Sequence, residues 1–316
     1  MSRWGKTGTR RLRGVEMAPT LNGSGRKVTL PAIAGKKAAR EQIIQFAVSN
    51  YRQARVADRV GADIVVATDA VAMTELGRPN GLTLDLAEMK LFGEAVARGT
   101  TTALTMVTMP YWSYHSSIEK AVENAGWLIQ NTGVEALECE GNVHHAPAIA
   151  AIVKAGIPVQ AHIGLTSMRI PQIGGLRAQG KTVDRAKEII DDAWAMVDAG
   201  CFSVLCEITT EELTQHLAEI LPVPVISIGA GRGSDGSAIV VDDILGLYEE
   251  HVPRHVKLYS DLITSMETAM AEFVDDVRSG EYPQERHVVQ MSHEVNSKFR
   301  SAVSSHVDGR TTAAAQ

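Results

Sequence analysis

The sequence contains no long apolar run, few cysteines and no excess of basic residues. No stretch approaches the roughly 20 apolar residues of a membrane-spanning helix, so no membrane association is expected. The formal net charge of −6 leaves no basic face for a nucleic acid or an anionic lipid. The three cysteines lack the spacing of a metal cluster, which indicates a reducing compartment. We therefore predict a cytoplasmic protein whose partner is a small molecule.

Aromatic residues are scarce as well, with 4 Trp, 6 Tyr and 5 Phe among 316 residues. Hydrophobic residues nevertheless make up 45% of the chain and charged residues 22%, so the core must be built mainly from Ala, Val, Ile and Leu. This composition is typical of an α/β protein and not of a disordered one. The length fits either one α/β barrel or two smaller domains.

The two ends of the chain differ from the middle in composition. Residues 1–26 hold six basic residues and one acid, Glu16, among many Gly, Ser and Thr residues. This predicts a flexible basic N-terminal tail. A targeting peptide is the alternative, although the stretch has few apolar residues for an amphipathic face. We predict a folded domain over 27–288 and a C-terminal extension over 289–316, disordered from about Ser304 onwards.

Between the ends, short β-branched runs alternate with longer helical patterns. The runs are apolar almost throughout, which is typical of a parallel sheet covered on both faces. Helical patterns cover 84–97, 118–131, 183–199 and 211–221. Eight such units predict a single (β/α)8 TIM barrel, with an open doubly wound sheet as the alternative. The predicted strands are Ile43–Val48, Ala62–Asp69, Ala103–Met109, Ala136–Glu140, Val159–Ile163, Phe202–Glu207, Val225–Gly229 and His255–Tyr259.

Polar residues stand at the ends of several predicted strands, where the reacting groups of such barrels are found. They are Asp69, Thr108, Glu140, His162 and Glu207. Any one of the carboxylates could be a helix cap or a solvated loop charge, and His162 could be a core histidine bonded to a carbonyl. Three acids at one mouth would repel unless a cation lay between them, and all-oxygen ligands favour Mg²⁺ or Mn²⁺.

Two further segments carry a weaker signal. The glycine-rich turn 229–233 follows a strand, but its spacing matches neither a dinucleotide-binding nor a P-loop motif. His144 and His145 follow the strand that ends at Glu140, and we interpret them as loop residues, with a substrate contact as the alternative.

Several segments together resemble the ketopantoate hydroxymethyltransferase family. The resemblance runs from about Lys27 to His287, and the following segments carry it: Gly61-Ala62-Asp63-Ile64, Leu137-Glu138-Cys139-Glu140-Gly141, His162-Ile163-Gly164-Leu165-Thr166, Val204-Leu205-Cys206-Glu207, and Ile228-Gly229-Ala230-Gly231 with Asp235-Gly236. It implies the (β/α)8 barrel of the phosphoenolpyruvate/pyruvate superfamily type, which the strand count predicts independently. It also implies a large ring of identical subunits.

The resemblance further implies transfer of a hydroxymethyl unit from 5,10-methylenetetrahydrofolate to C3 of 2-oxoisovalerate. A Mg²⁺ ion would chelate the 2-oxo acid and stabilise its enolate. The resemblance assigns metal ligands to Asp69 and Glu140 and the acid/base role to Glu207. We also name His162 as a candidate catalytic and substrate-binding residue.

Three positions depart from the family pattern, and all three touch the substrate in that family. A third metal-binding aspartate is replaced by Thr108, and a serine that holds the substrate carboxylate is replaced by Ala70. A substrate-binding lysine is replaced by Glu138. Glu138 and Thr108 are therefore candidates for both metal and substrate contacts, and Ala70 is a candidate for a substrate contact. Exchanging a cation for an anion about 4 Å from a substrate carboxylate costs several kcal/mol at an effective dielectric of about 20.

These departures leave three hypotheses for function. The first is a metal-dependent hydroxymethyltransferase or aldolase-type enzyme that forms or cleaves a C–C bond next to a carbonyl, with an altered substrate pocket. The second is an authentic 3-methyl-2-oxobutanoate hydroxymethyltransferase of pantothenate biosynthesis. The third is a non-catalytic metabolite-binding barrel, which Glu207 argues against because desolvating an unused acid costs free energy.

Overall fold

The computed structural model describes residues 25–175, 177–247 and 252–313. The predicted N-terminal tail lies almost entirely outside these residues. The chain divides into two compact units, one ending at Asp261 and the other beginning at Leu262. The predicted domain boundary at 288 falls inside the second unit. Within the described residues, no helix is long and apolar enough to cross a membrane.

Eight parallel strands of the first unit form a closed barrel in sequence order, in which the last strand pairs with the first. This confirms the predicted (β/α)8 fold. The strands are β1 Ile43–Ala47, β2 Ile64–Ala67, β3 Leu104–Thr108, β4 Ala136–Glu140, β5 Val159–Gly164, β6 Ser203–Glu207, β7 Val225–Ile228 and β8 Gly236–Val240.

Helices connect and flank the strands. Those of the first unit are α1 Leu30–Ala39, α2 Tyr51–Arg59, α3 Val71–Thr74, α4 Leu86–Gly99, α5 Ile118–Thr132, α6 Ala146–Lys154, α7 Ile170–Ile173, α8 Val183–Asp198, α9 Glu211–Ile220 and α10 Val241–Leu245. The second unit contains α11 Leu262–Ser279 and α12 His293–Ala313. Helix α12 continues past Ser304, where the sequence predicts disorder.

The position of the eighth strand was predicted wrongly. Residues His255–Tyr259 form a turn and irregular backbone, and β8 instead begins at Gly236, three residues after the glycine-rich turn 229–233. A Cβ at Gly236 would lie 2.4 Å from the carbonyl oxygen of Ile43. The glycine therefore lets β8 approach β1 closely enough to close the barrel, a requirement that no local pattern reveals.

Helix α1 closes the amino-terminal end of the barrel. Its Ile33 is fully buried in the inner apolar cluster with side chains such as Ile64 and Met106. Lys36 pairs with Asp63 and Lys37 with Asp235, each at 2.6 Å and each just before a strand. Because this end is sealed, a ligand can reach the interior from the carboxyl ends of the strands.

Asp58 anchors the end of α2 to the start of β3. Its two carboxylate oxygens accept hydrogen bonds from the N–H and hydroxyl groups of Thr101 and Thr102 and from the N–H of Ala103, at 2.6 to 2.9 Å. Burial raises the pKa of Asp58, but these hydrogen bonds outweigh it and hold the pKa well below its ordinary value. The ionised form is therefore the stabilising one.

We expect Asp58→Ala to lower the free energy of unfolding by about 3 kcal/mol, because it strands several buried donors. Urea denaturation would measure this loss. The exposed Asp191→Ala on α8 is the control and should change stability by less than about 0.5 kcal/mol. Because the pKa of Asp58 is depressed, its contribution is present above pH ~4 and is lost as the pH falls below that. The variant and the parent should therefore converge in acid, and a constant difference would contradict the assignment.

All three cysteines are free and buried. Burial raises the pKa of the Cys201 and Cys206 thiols to about 12 and that of Cys139 well above its ordinary value. Cys139 lies between Glu138 and Glu140 on β4, and Cys206 directly precedes Glu207 on β6. These thiols face the apolar layer between strands and helices.

Candidate active site

The polar residues predicted at the strand ends meet at the carboxyl end of the barrel. Glu138 and Glu140 lie two residues apart on β4 and therefore on the same face of the strand. The strand register places Glu140 beside His162 of β5. Glu207 ends β6, and Asp69 follows β2 by two residues. The structure thus brings together four carboxylates and one imidazole.

Gly164 allows the last part of β5 to approach Glu207. The two residues are register partners, and a Cβ at Gly164 would lie 2.5 Å from the carbonyl oxygen of Glu207. The backbone of Gly164 also has a φ of +94°, which favours glycine. This glycine of the His162-Ile163-Gly164 segment therefore brings β5 against β6 beside the histidine.

His162 and Glu207 form a close ion pair. The Nε2 of His162 lies 2.8 Å from Oε2 of Glu207, although the N–H does not point straight at the oxygen. Burial lowers the pKa of His162, but contact with Glu207 and the charges of Glu138 and Glu140 raise it to about 10. The imidazole is therefore cationic at neutral pH, and it lies against the Glu207 carboxylate.

Ser167 joins Glu140 to Asp69. The backbone N–H groups of Ser167 and Met168 donate to Glu140 at 2.8 and 3.0 Å. The Ser167 hydroxyl lies 2.8 Å from Oε1 of Glu140 and also contacts Oδ2 of Asp69. A single hydroxyl hydrogen cannot serve two ionised carboxylates. Burial raises the pKa of Asp69 and raises that of Glu140 to about 7, so this cluster favours either a proton or a cation.

Sequence reasoning did not identify Ser167 as a site residue. It lies just after β5, within the Thr166-Ser167-Met168 segment that follows the histidine motif. A short polar side chain after a barrel strand is the signal that could have found it. Its significance depends on the loop folding back over β4, which the linear sequence does not show.

Glu138 is the most deeply buried of the four carboxylates, with 1% of its surface exposed. Its Oε1 accepts a hydrogen bond from the Thr108 hydroxyl at 2.7 Å. Within the described part of the chain, its Oε2 is buried and has no hydrogen-bond partner. Burial raises the pKa of Glu138, and the neighbouring charges of Asp69 and Glu207 raise it further against the opposing effect of His162. Oε2 of Glu138 therefore remains available to a ligand, whereas Oε1 is already bonded to Thr108.

Ala70 follows Asp69 and precedes the four-residue helix α3. A methyl group stands there, so the site has no hydroxyl at this position. Gly81 packs against Asp69 from the other side, since a Cβ on it would lie 2.4 Å from Oδ2. The turn 229–231 also reaches the mouth, where the ring of His255 covers Gly229.

A parallel barrel with carboxylates grouped at its open end defines a class of enzymes whose active sites lie at the carboxyl ends of the strands. Solved structures share this fold. Phosphonopyruvate hydrolase, solved with oxalate and Mg²⁺, aligns at a TM-score of 0.53 and 12% identity, over 87% of this chain and 96% of its own. 2,3-Dimethylmalate lyase, of the PEP mutase/isocitrate lyase superfamily, aligns at 0.54 and 15% identity, over 90% and 96%.

Sequence relatives identify the family. The ketopantoate hydroxymethyltransferase family model matches residues 27–285. A 3-methyl-2-oxobutanoate hydroxymethyltransferase of Syntrophobacter fumaroxidans is 38% identical over 84% of this chain and 94% of its own. One of Chloroflexus aggregans is 40% identical over 79% and 89%. The chain therefore belongs to the ketopantoate hydroxymethyltransferase family, which confirms the resemblance found in its motifs, and it is an enzyme of the hydroxymethyltransferase or aldolase type.

Proposed function

We propose that this protein makes or breaks a carbon–carbon bond next to a carbonyl and that it uses a bound divalent cation. Its substrate has a neutral group where the family's substrate has a carboxylate. The observation that carries the proposal is the buried Glu138 with its unpartnered Oε2. Family membership supports the bond-forming chemistry. The pocket departures at Ala70, Thr108 and Glu138 support the change of substrate.

Both protonation states of Glu138 disfavour a substrate carboxylate at that position. An ionised Glu138 repels it by several kcal/mol at about 4 Å and an effective dielectric of about 20. A protonated Glu138 offers one O–H where a lysine would offer a full positive charge. An amide, an amine or a hydroxyl can instead donate a hydrogen bond to the free Oε2, which removes the cost of burying that atom unpaired.

The donor set suits a hard divalent cation. Among the described residues, no cluster of three or more His, Cys, Asp or Glu side chains is arranged to hold a metal. Asp69 and Glu140, linked through Ser167, supply two carboxylates, and Mg²⁺ is commonly held by one or two carboxylates with water and substrate oxygens completing its shell. When bound there, the cation would lower the pKa of the C–H bond beside the carbonyl and stabilise the resulting enolate.

Glu207 is the residue we propose as the general acid and base. Its side chain is 26% exposed, whereas Glu138 and Glu140 are at most 3% exposed, so a substrate can reach it. The His162 imidazolium lies 2.8 Å from Oε2 of Glu207 and orients this side chain. After proton transfer, the same imidazolium remains beside the neutral carboxyl and favours return of the proton. His162 is therefore a positioning residue for the base, Glu207.

The second candidate is an authentic 3-methyl-2-oxobutanoate hydroxymethyltransferase, because a relative of that name is 40% identical over 79% of this chain. In that case 2-oxoisovalerate and 5,10-methylenetetrahydrofolate are the substrates.

Deuterium exchange at C3 of the substrate, measured by NMR in D₂O with Mg²⁺, distinguishes the altered-substrate enzyme from the authentic transferase. We expect faster exchange with 3-methyl-2-oxobutanamide than with 2-oxoisovalerate. The reverse order, with turnover of 2-oxoisovalerate at about 1 s⁻¹ or more, would refute the altered pocket.

Ser167 offers a test of the cation site. We expect Ser167→Ala to weaken Mn²⁺ binding by about 10-fold, because loss of a residue that orients ligating carboxylates typically costs 10- to 100-fold in metal affinity. Electron paramagnetic resonance of free Mn²⁺ would measure the affinity. Ser167→Thr keeps the hydroxyl and should bind nearly as well as the parent. Tighter binding by Ser167→Ala would mean that the hydroxyl competes with the cation.

A further inference from the structure

A second histidine, His255, lies at the carboxyl end of the barrel, over the turn that follows β7. Gly229 is the first residue of that turn, and a Cβ on it would lie 2.8 Å from Cγ and 3.1 Å from Nδ1 of the His255 ring. The imidazole therefore occupies the space that a side chain at position 229 would need. Gly229 also has a φ of +61°, so the backbone and the ring both favour glycine here.

The strand register brings this turn beside Glu207. Ile228, the last residue of β7, is the register partner of Glu207, and its backbone oxygen accepts a hydrogen bond from the N–H of Ile208 at 2.9 Å. Gly229 follows directly, so the ring that covers it lies next to the end of β6. The negative charge of Glu207 reaches His255 and acts to raise its pKa. Both strands that flank β6 thus bring an imidazole towards the proposed base.

The two imidazoles differ in protonation. His162 is 7% exposed and cationic beside Glu207. His255 is more exposed, and desolvation against the turn lowers its pKa by more than the charge of Glu207 raises it, so the ring is mainly neutral at pH 7. Within the described part of the chain, no residue forms a hydrogen bond or an ion pair with His255. A neutral imidazole with free nitrogens can accept a proton, whereas the imidazolium of His162 cannot.

We propose that His255 is a second acid/base residue of this site, which takes the proton from the hydroxyl group of a β-hydroxy carbonyl compound as the carbon–carbon bond breaks and returns it when the bond forms. The inference rests on the proposed function, because it names the group that serves the hydroxyl oxygen in the reaction for which Glu207 serves the carbon. Such tasks are commonly divided between titratable groups whose environments set them in different protonation states.

The protons and electrons of this step balance between the two residues. In cleavage, His255 takes the hydroxyl proton, the C–O bond becomes the carbonyl of a released aldehyde, and the electron pair of the C–C bond forms the enolate. The carboxyl form of Glu207 then gives a proton to the enolate carbon. Formation of the bond reverses these transfers. Because His255 is exposed, solvent can exchange the proton that resets the pair after each cycle.

The other titratable side chains of the mouth are less suited to the hydroxyl proton. Glu207 cannot hold a proton for the carbon and accept one from the oxygen at the same moment. His162 already carries its second proton. Glu138 is 1% exposed and bonded to Thr108, and the two carboxylates assigned to the cation would be occupied by it. His255 is the residue that combines a free nitrogen, a neutral ring and access from solvent.

The test compares two assays on the full-length protein with Mg²⁺. One is deuterium exchange at C3 of 3-methyl-2-oxobutanamide, which needs a base for carbon alone. The other is release of formaldehyde from 4-hydroxy-3,3-dimethyl-2-oxobutanamide, which also needs a base for oxygen. The corresponding 2-oxo acids are run in parallel. We expect His255→Ala to lower kcat for formaldehyde release by about 100-fold, at the lower end of the range for general acid–base catalysis, and to leave exchange within about two-fold of the parent.

Two further variants separate proton transfer from a structural role. His255→Gln keeps polar atoms but cannot carry the proton, and it should be as slow in release as His255→Ala. Added imidazole should restore part of the release rate in His255→Ala, because it can enter the space that the side chain leaves. His216→Gln removes another exposed histidine, on α9, and is the matched control, which should change neither assay.

Three results would overturn the role of His255. They are formaldehyde release at the parental rate in both His255 variants, an equal loss in exchange and release, and a parent protein that catalyses exchange but releases formaldehyde from neither compound. Failure of the proposed function has a separate signature. Exchange needs no hydroxyl group, so its absence in the parent protein with both the amide and the 2-oxo acid refutes the enolate chemistry itself.

Discussion

Glu207→Gln is expected to lower the rate of deuterium exchange beside the carbonyl by about 10³-fold, within the range that a positioned general base contributes. Glutamine has nearly the same shape but cannot accept the proton. Mn²⁺ affinity should stay within about two-fold of the parent, because Asp69 and Glu140, and not Glu207, hold the proposed cation. Exchange measured by NMR with 2-oxoisovalerate and its amide would give the rate.

A control and a second measurement make this prediction specific to the base. Glu211→Gln removes a partly exposed carboxylate at the start of α9, which pairs with Arg232, and should leave exchange unaffected. In Glu207→Gln, His162 loses its closest anionic neighbour, so its raised pKa should fall, which histidine NMR would report. Loss of Mn²⁺ binding in Glu207→Gln would count against the assigned role.

Glu138→Lys should redirect the enzyme towards the 2-oxo acid. Replacing a buried anion by a cation reverses the electrostatic preference by several kcal/mol at about 4 Å. We expect the ratio of kcat/KM for 2-oxoisovalerate over its amide to rise by at least ~100-fold, equivalent to about 2.7 kcal/mol. The measurement is exchange at varied substrate concentration for both compounds.

Glu138→Gln keeps this prediction testable if the lysine variant folds poorly. Glutamine has the same size, retains an acceptor for the Thr108 hydroxyl and removes the negative charge. It should shift the ratio in the same direction by a smaller factor, about 10-fold. Thr108→Val would remove the partner of Glu138 without adding a charge and should not favour the 2-oxo acid. A ratio unchanged in both Glu138 variants would refute the role of this residue in specificity.

Much of the barrel follows from the sequence because its strands are local apolar runs. Seven of the eight strands overlap their predicted positions, since runs such as 64–67 are buried on both faces and need no distant information. The eighth was placed at 255–259 instead, because the true strand opens with Gly236 and Ser237 and not with an apolar run. Their pairing with β1 depends on closing the barrel, which is a contact between the two ends of the fold.

The residues of the candidate site also fall into those that the sequence predicts and those that it does not. Asp69, Glu140, His162 and Glu207 could be selected because strand ends can be identified from the sequence, and all such ends in a barrel open on one side. Ser167 could not, because its importance arises from a loop folding over a neighbouring strand. Local sequence patterns predict where a residue lies along its strand, whereas tertiary packing determines which residues it contacts.

The buried cysteines allow opening of the barrel to be followed by thiol labelling. Thiol reagents attack the thiolate, which is both inaccessible and scarce at neutral pH when the pKa of Cys139 or Cys206 is so far raised. Labelling should therefore proceed only when β4 or β6 separates from its neighbours. These two strands carry Glu138, Glu140 and Glu207. The labelling rate with and without Mg²⁺ or substrate therefore measures how much each ligand stabilises the strands that hold the candidate site.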